Sequence, residues 1–216
     1  KGLIVIDLTR VLAGPYASMI LSDLGARIIK VEPPLGDDSR EFSPFVNNQS
    51  AYFASLNREK ESIKLDLKSE KDKLIFEELI KNADILLENY KPGTMEKLGY
   101  GYKSLSKKYP NLIYASCSGF GQTGPWATKP AYDMIVQGMG GLMSVTGHEG
   151  QEPVRVGTSI GDITAGLFTT IGILASLIDK NKHGNGQAID VSMLDCQIAI
   201  LENAIARYFA TGESPP

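Results

Sequence analysis

Residues 3–32 read LIVIDLTRVLAGPYASMILSDLGARIIKVE, and this stretch decides the fold class. The apolar run at residues 3–6 predicts a buried strand, residues 15–24 predict a helix, and residues 27–31 predict a second strand that ends at Glu32. A strand, a helix and a strand in this order form a βαβ unit, in which the two strands run parallel. We therefore expect a parallel sheet that is covered by helices.

The alternation of strands and helices continues along the rest of the chain. Strands are predicted at residues 62–67, 84–87, 111–116 and 188–192, and helices at 69–81, 132–143, 164–178 and from 193 to about 210. Residues 33–49 contain Pro33, Pro34 and Gly36 without periodicity, so we expect a long loop near the carboxyl ends of the strands, where open α/β sheets bind ligands. The predicted fold class is α/β, with a Rossmann-like parallel sheet flanked by helices.

The composition indicates a globular protein with one large core. The chain has 216 residues, of which 43% are hydrophobic and 22% charged. Residues 1–210 are expected to form one domain, and Gly212, Pro215 and Pro216 predict the start of a linker over residues 211–216. The net charge of −3 lacks the basic field that a nucleic-acid-binding surface needs, so nucleic acid is not an expected partner.

Two further features bear on compartment and membrane association. Cys117 and Cys196 lie far apart, without the CxxC or Cys/His spacing of a metal site, which favours a reducing cytoplasmic setting and predicts no metal ligands. The longest apolar stretch, residues 160–178, is interrupted by Asp162 and by glycines such as Gly172. We therefore predict a buried helix there, and no membrane span.

One glycine motif invites a different interpretation. Residues 119–124 read GFGQTG, a literal GxGxxG that follows a predicted strand. In a dinucleotide-binding fold this fingerprint lies in the first βα turn, upstream of the acid that binds the ribose, and it opens a helix that holds the pyrophosphate. Here the glycines come long after Glu32, and Pro125 and Trp126 follow them. The spacing argues against a nicotinamide or flavin cofactor.

Residues 161–166 read GDITAG and place Asp162 at the start of an apolar helix. The ordinary explanation is a helix N-cap, because aspartate is a preferred cap and its charge suits the helix dipole. The glycines on both sides, however, leave room for a ligand, and the amides of a helix start stabilise an anion. A desolvated, oriented carboxylate can also act as a nucleophile that forms a mixed anhydride with a thioester. The residues alone leave both interpretations open.

The chain as a whole resembles the family III CoA transferases, which include formyl-CoA transferase, carnitine CoA transferase and alpha-methylacyl-CoA racemase. The resemblance covers the whole chain and depends on the order and spacing of short motifs, each of which is weak alone. The motifs are VLAGP at 11–15, DLGA at 23–26, IKVE at 29–32, KLDLK at 64–68, ENYKPG at 88–93, SGFG at 118–121, YD at 132–133, GD at 161–162, GNGQ at 184–187 and DVSM at 190–193.

The resemblance implies a reaction in which CoA moves from an acyl-CoA thioester to a carboxylic acid. Asp162 would attack the acyl-CoA to give a mixed aspartyl anhydride, an aspartyl-CoA thioester would follow, and an acceptor carboxylate would then attack and leave with the CoA. The resemblance also implies an interlocked homodimer whose chain continues into a small domain, absent from these residues, and returns to the large one. A glycine-rich loop in that later part covers the active site, so residues 1–216 alone should bind CoA weakly and catalyse poorly.

The resemblance also assigns residues to the CoA and the acyl group. Val11 and Ala13 would lie by the nucleotide, Leu65 and Lys68 would flank the adenine and its phosphates, Asn89 and Tyr90 would line the pantetheine path, and Lys97 and Leu98 would touch the CoA. Tyr52 and Tyr132 match tyrosines of the acyl pocket, although ordinary half-buried aromatic packing explains them as well.

The chain departs from formyl-CoA transferase at three positions. Pro33 replaces an arginine that contacts CoA, and we expect Arg40, seven residues later, to take over a phosphate contact. Lys97 stands where that enzyme has an arginine, which keeps the positive charge but loses the bidentate geometry. Leu12 replaces a polar residue, which argues against a formyl or oxalyl substrate.

Two alternatives to a transferase remain. A 2-methylacyl-CoA racemase of the same family needs two opposed acid/base groups at the alpha carbon, and in that branch a histidine precedes the aspartate that matches Asp133. Here the preceding residue is Tyr132, whose phenol, with an ordinary pKa of about 10, is a poor base at neutral pH. The two histidines, His148 and His183, fall in a predicted loop and a predicted turn. The other alternative is a noncatalytic CoA-binding domain that kept the fold.

Overall fold

The computed structural model describes residues 2–148 and 150–214, and its centre is a six-stranded parallel sheet. The strands are β1 (Ile4–Asp7), β2 (Arg27–Glu32), β3 (Phe45–Val46), β4 (Gln49–Ser50), β5 (Glu61–Lys64), β6 (Ile85–Glu88), β7 (Ile113–Ser118) and β8 (Ala188–Ser192). The sheet has the order β5-β2-β1-β6-β7-β8, whereas β3 and β4 form a separate antiparallel hairpin. The predicted Rossmann-like parallel sheet is confirmed.

The order of the strands determines where a ligand can bind. Counted along the chain, the six strands of the sheet follow the order 3-2-1-4-5-6, which is that of a Rossmann fold. β1 pairs with β2 on one side and with β6 on the other, so the direction in which strands are added reverses between β1 and β6. Open α/β sheets bind ligands outside the carboxyl ends of the strands at such a switch point.

Helices cover both faces of the sheet. They are α1 (Ala13–Asp23), α2 (Ala51–Asn57), α3 (Glu70–Lys81), α4 (Thr94–Leu98), α5 (Tyr102–Lys108), α6 (Asp133–Met139), α7 (Ile160–His183), α8 (Met193–Ala199) and α9 (Glu202–Thr211). Because successive strand residues point to opposite faces, Ile6 packs with Phe76 of α3, whereas Val5 packs with Leu21 of α1 and Ile173 of α7. Each face of the sheet therefore has its own apolar core.

Three of the predicted helices have clearly different bounds in the structure. The helix predicted at residues 132–143 ends at Met139 and is followed by a 3₁₀ turn, Leu142–Val145. The helix predicted at residues 164–178 begins four residues earlier, at Ile160, so that Asp162 lies inside its first turn. The helix predicted from residue 193 to about 210 is in fact two helices, α8 and α9, because the chain leaves helical geometry around Ile200 and Leu201. The break at Ile200 and Leu201 contains no glycine or proline, the signal on which sequence-based boundaries depend.

The segment at residues 33–49 has more structure than expected. It contains a short 3₁₀ turn, Asp38–Glu41, and leads into the hairpin of β3 and β4. Asn47 and Asn48 connect the two strands with φ angles of 50° and 61°. Asparagine tolerates this left-handed region, and a two-residue turn with both φ angles positive suits the twist of a hairpin. The prediction of an unstructured loop was therefore wrong in part.

Helix α7 is long and apolar enough to cross a membrane by length and composition alone. It has 24 residues, and an 18-residue window within it has a mean hydropathy of 1.6. Of that window, 44% is buried inside the protein, where α7 packs against α1, β7 and α8. The core helices of soluble proteins pass the same test, so the helix is confirmed and the absence of a membrane span stays a prediction.

The end of α9 lies close to the predicted domain boundary. The helix ends at Thr211, and Gly212 follows it with a left-handed φ of 75°. The division into a domain at residues 1–210 and a linker at 211–216 stays a prediction, and Pro215 and Pro216 lie outside the described residues.

Candidate active site

A pocket of about 230 Å³ opens at the switch point of the sheet. Its walls come from the loop between β1 and α1, the turn after β6, the end of β7 and the first turn of α7. Among the residues that line it are Val11, Ala13, Asn89, Tyr90, Tyr132 and Asp162. The fold therefore brings together residues up to about 150 positions apart that the sequence had assigned to one site.

A second pocket, of about 220 Å³, adjoins the first, because Tyr90 lines both. Leu65, Lys68 and Leu98 line this second pocket. Leu65 is buried and contributes an apolar wall, whereas Lys68 is exposed. An apolar cleft with a cation beside it suits a flat ring that carries phosphates.

Asp162 is not the N-cap of α7. The capping position belongs to Ser159, and Asp162 is the third residue of the helix. The start of α7 is instead held by Asp133, whose Oδ1 accepts the backbone N–H of Gly161 at 2.8 Å. Asp162 therefore does not cap the helix, although its charge lies in the first turn of α7, where it suits the helix dipole.

The surroundings of Asp162 disfavour its charged form. Burial raises its pKa from 3.8 to about 6, and the negative charge of Asp133 adds to the rise. A backbone N–H contact from Ala13 acts in the opposite direction. At neutral pH the carboxylate is therefore ionised but poorly hydrated, which is the condition in which a carboxylate can attack an activated carbonyl group.

Gln137 is a part of the site that sequence reasoning missed. Its side chain is fully buried, and its Nε2 donates to Oδ2 of Asp133 at 2.8 Å. Its Oε1 accepts the backbone N–H of Val156 at 2.9 Å, which ties α6 to the segment that precedes α7. The i, i+4 spacing of Asp133 and Gln137 on a predicted helix was the available signal.

Asn89 lies in the pocket wall, but its amide is already bonded within the protein. Its Oδ1 accepts the backbone N–H of Arg10 at 2.9 Å, and its Nδ2 donates to the backbone carbonyl of the same residue at 2.8 Å. Asn89 therefore connects the turn after β6 to the loop after β1. Its predicted contact with the pantetheine arm stays a prediction.

Two predicted CoA ligands do not line either pocket. Arg40 makes two hydrogen bonds to the buried carboxylate of Glu32, at 2.6 and 2.7 Å, and its guanidinium lies 3.8 Å from the centre of the Phe53 ring. These contacts hold its guanidinium against the end of β2. Burial alone would raise the pKa of Glu32, but hydrogen bonds from Arg40, Ser62 and the backbone N–H of Asp37 lower it to about 2. Lys97 is exposed on α4, outside both linings.

The two predicted acyl-pocket tyrosines differ in their surroundings. Tyr52 is half-buried and packs on Phe42, with ring centres 5.6 Å apart. Its pKa is raised by burial first and then by the charge of Asp162, so the phenol lies within electrostatic reach of that carboxylate. Tyr132 is the N-cap residue of α6 and lines the first pocket with a largely exposed side chain.

Other groups that the sequence singled out lie elsewhere. Residues 119–124 open no helix, in agreement with the rejection of a dinucleotide fingerprint. His148 is exposed, and His183 faces Asp179 at the exposed end of α7. In the parts of the chain that the structure describes, no group of three or more His, Cys, Asp or Glu side chains could hold a metal ion.

The fold and the pocket define the class of protein. It is an α/β domain in which a half-buried carboxylate, Asp162, faces a pocket at the switch point of a parallel sheet. The chain belongs to CoA-transferase family III, whose model matches residues 1–216. The resemblance found in the sequence motifs is thereby confirmed.

Characterised relatives and solved structures agree with this assignment. The chain is 53% identical over 216 residues to acetyl-CoA:oxalate CoA-transferase of Acetobacter aceti, covering 99% of this chain and 56% of that protein. It is 45% identical over 210 residues to succinyl-CoA:glutarate CoA-transferase of Mus musculus, covering 96% and 48%. The crystal structure of a CAIB/BAIF family protein from Brucella suis matches with a TM-score of 0.96 and 43% identity, over 100% of this chain and 58% of that chain. The chain spans about half the length of the curated relatives it matches.

Proposed function

We propose that this protein transfers CoA from an acyl-CoA thioester to a carboxylic acid, with Asp162 as the covalent nucleophile. The observation that carries the proposal is the state of Asp162, a poorly hydrated carboxylate with a pKa of about 6 in the wall of the switch-point pocket. Membership of CoA-transferase family III and the names of the relatives support the same reaction class.

The proposed reaction has four steps that balance without a further reactant. A carboxylate oxygen of Asp162 attacks the thioester carbonyl carbon, the C–S bond breaks, and the CoA thiolate leaves a mixed anhydride behind. The thiolate then attacks the aspartyl carbonyl and releases the donor acid, which gives an aspartyl-CoA thioester. The acceptor carboxylate attacks this thioester and expels the thiolate again. Attack of the thiolate on the acceptor carbonyl gives the new acyl-CoA and restores Asp162.

The two pockets suggest how a CoA ester would lie. We place the adenine in the second pocket beside Leu65 and Leu98, with Lys68 near the phosphates. Because Tyr90 lines both pockets, a pantetheine arm that passes this side chain leads to Asp162. The proposal explains why the site is divided into an apolar cleft and a separate pocket that contains the reactive carboxylate.

The acid substrates are proposed to be small dicarboxylic acids. The names of the two relatives pair an acyl-CoA with oxalate or glutarate, both of which carry a second carboxylate. Lys91 and Lys129 line the first pocket and offer positive charge to such a group. That Leu12 disfavours an oxalyl substrate stays a prediction, and a panel of CoA esters with dicarboxylate acceptors tests it.

Trapping the intermediate tests the proposal directly. The full-length protein is incubated with acyl-CoA and hydroxylamine, which converts an aspartyl anhydride or thioester into a hydroxamate. Mass spectrometry is expected to find the hydroxamate at Asp162. Asp195, which also lies in the first turn of a helix but is exposed, serves as an internal control that should remain unmodified.

Each other outcome has a definite meaning. An unmodified Asp162 in a preparation that transfers CoA contradicts the covalent mechanism. Deuterium exchange at the alpha carbon of a 2-methylacyl-CoA without transfer identifies a racemase, although neither histidine lines the first pocket. Binding of CoA without either reaction identifies a noncatalytic binding domain.

We also propose that the full-length protein is a cytoplasmic homodimer. The cytoplasmic assignment follows from the two cysteines, which are buried and unpaired with each other. Support for the dimer comes from an apolar stripe on α7, formed by the exposed side chains of Leu167, Phe168, Ile171, Leu174 and Ile178. The spacing of these residues places them along one side of the helix, where a contiguous apolar surface is costly to leave in water.

A further inference from the structure

The loop between β1 and α1 contains a strained segment, residues 9–11, which we call the strap. Val11 has a φ of 66°, in the left-handed region that β-branched residues avoid. Such a conformation persists only where the surrounding contacts force it. The strap leads directly to the first turn of α1, which contains Ala13.

Side chains from four places hold the backbone of the strap. Asp7 accepts the N–H of Thr9 at 2.8 Å, and Lys30 donates to the carbonyl of Thr9 at 2.6 Å. Asn89 bonds both the N–H and the carbonyl of Arg10. Oδ1 of Asp37 accepts the N–H of Val11 at 3.2 Å. Five backbone groups in three consecutive residues are therefore bonded to side chains from β1, β2, the loop after β2 and the turn after β6.

Three of the four side chains that bond the strap, Asp7, Lys30 and Asp37, are buried, whereas the bonds from Asn89 lie at the surface. Lys30 and Asp37 pair at 2.9 Å, and each side chain is only 1% exposed. Buried charged groups have little freedom to move, since leaving their partners would strand a charge away from water. The buried Lys30 and Asp37 side chains, which have little freedom to move, therefore hold the strap in a fixed position.

Close approaches at two glycines connect the strap, through the start of α1, to the part of α7 that contains Asp162. A Cβ on Gly14 would lie 2.2 Å from the side chain of Thr9, and a Cβ on Gly166 would lie 2.7 Å from the carbonyl oxygen of Ala13. The strap, the start of α1 and α7 are thus in direct contact. Gly166 is one helical turn after Asp162, so the start of α1 packs on the same side of α7 as the carboxylate.

We propose that Asn89 and Asp37 are positioning residues, which hold the strap in its strained conformation and thereby place the backbone N–H of Ala13 against the Asp162 carboxylate. This role rests on the function proposed for Asp162, and it assigns to Asn89 a task other than contact with the substrate. A preorganised N–H at this point stabilises the ionised carboxylate and fixes the direction of its attack.

The test uses the full-length protein without any CoA ester. Asn89→Leu removes both bonds to Arg10 without adding a charge. It is expected to raise the pKa of Asp162 by roughly 0.5 to 1 pH unit, because the carboxylate loses a donor that favours its ionised form. The titration is followed by NMR of ¹³C-labelled aspartate carboxyl groups, with Asp162→Asn to assign the resonance. Asn82→Leu, at the exposed end of α3, is the matched control and should leave the pKa of Asp162 unchanged.

A second variant separates positioning from general stability. Glycine adopts a φ near that of Val11 without strain, so Val11→Gly in the Asn89→Leu background is expected to return the pKa of Asp162 toward the wild-type value. A folded Asn89→Leu protein with an unchanged Asp162 pKa overturns the proposal, as does a double variant that shows no recovery. Because no CoA is present, these outcomes do not depend on the hydroxylamine result, and failure of the transferase mechanism remains a separate finding.

Discussion

At the scale of single residues, burial of the ionised Asp162 carboxylate destabilises the folded protein, and a substitution that removes the charge would remove this destabilisation. Its pKa is about 6 in the folded protein and 3.8 when exposed, so the ionised form is disfavoured by folding. The destabilisation is absent at pH values below the unfolded pKa and develops as the pH rises through about 6. Asp162→Asn is therefore expected to raise the free energy of unfolding at neutral pH by up to about 3 kcal/mol.

Urea denaturation over a range of pH checks this expectation. The difference between Asp162→Asn and the wild type should vanish in acid and reach a plateau above about pH 6. Asp195→Asn, at an exposed position in the first turn of α8, is the matched substitution and should show no such pH dependence. A destabilised Asp162→Asn protein at neutral pH would contradict the assignment of a desolvated carboxylate.

The same carboxylate predicts the pH dependence of the proposed reaction. Only the ionised form of Asp162 is nucleophilic, so kcat/KM for CoA transfer should increase with pH through about 6 and then level off. The measurement is the initial rate at low acyl-CoA concentration across this range. An activity that is independent of pH around 6, in a protein that forms the hydroxamate, would mean that the free enzyme holds Asp162 in a more hydrated state.

At the scale of secondary-structure elements, the close approach of α1 and α7 depends on Gly166. An added Cβ would meet the backbone carbonyl oxygen of Ala13, which cannot move aside without shifting α1. Gly166→Ala should therefore destabilise the protein by about 1–3 kcal/mol and reduce CoA transfer. In the same helix, an added Cβ at Gly172 would meet a side-chain methyl of Ile189 at 3.0 Å, which requires a shift of only a few tenths of an ångström. Gly172→Ala also gains helix propensity, so its effect should be smaller. Equal stabilities of the two variants by urea denaturation would contradict this account.

The ends of β2 and its following loop depend on a buried ion pair. Lys30→Met leaves the buried Asp37 carboxylate without its partner and the Thr9 carbonyl without a donor. The expected loss of stability is about 3–5 kcal/mol, measured by denaturant unfolding. Arg27→Met is the control on the same strand, because the pair between Arg27 and Glu61 is exposed and should contribute little. Comparable losses from the two substitutions would show that burial of the pair is not the deciding factor.

At the scale of the whole molecule, the apolar stripe of α7 indicates an interface. We expect the full-length protein to be a dimer by light scattering, and Ile171→Glu to weaken it, because Ile171 is 59% exposed in the middle of the stripe. Leu35→Glu is the control, since Leu35 is 97% exposed and lies apart from the stripe on the loop after β2. If the protein is a monomer and amide hydrogen exchange shows that the apolar stripe of α7 is protected, another part of the same chain covers the stripe.

The sequence by itself determined the alternation of the main strands and helices and the parallel sheet, and its motifs carried the family resemblance that singles out Asp162. These features are local or ordered along the chain: apolar periodicity reports burial, and the motif that contains Asp162 is contiguous. The sequence also predicted Leu65, Asn89 and Tyr90 as site residues, and the structure places all three in the walls of two adjoining pockets.

Only the tertiary structure decided how those residues are held. It showed that Asp133 caps α7, that Gln137 supports Asp133, and that Arg40 is bound to Glu32. Each of these residues could bond several other partners of the same chemical type. The choice is made by the approach of elements distant in the chain, and no local pattern records which donor will meet which acceptor once the helices have packed.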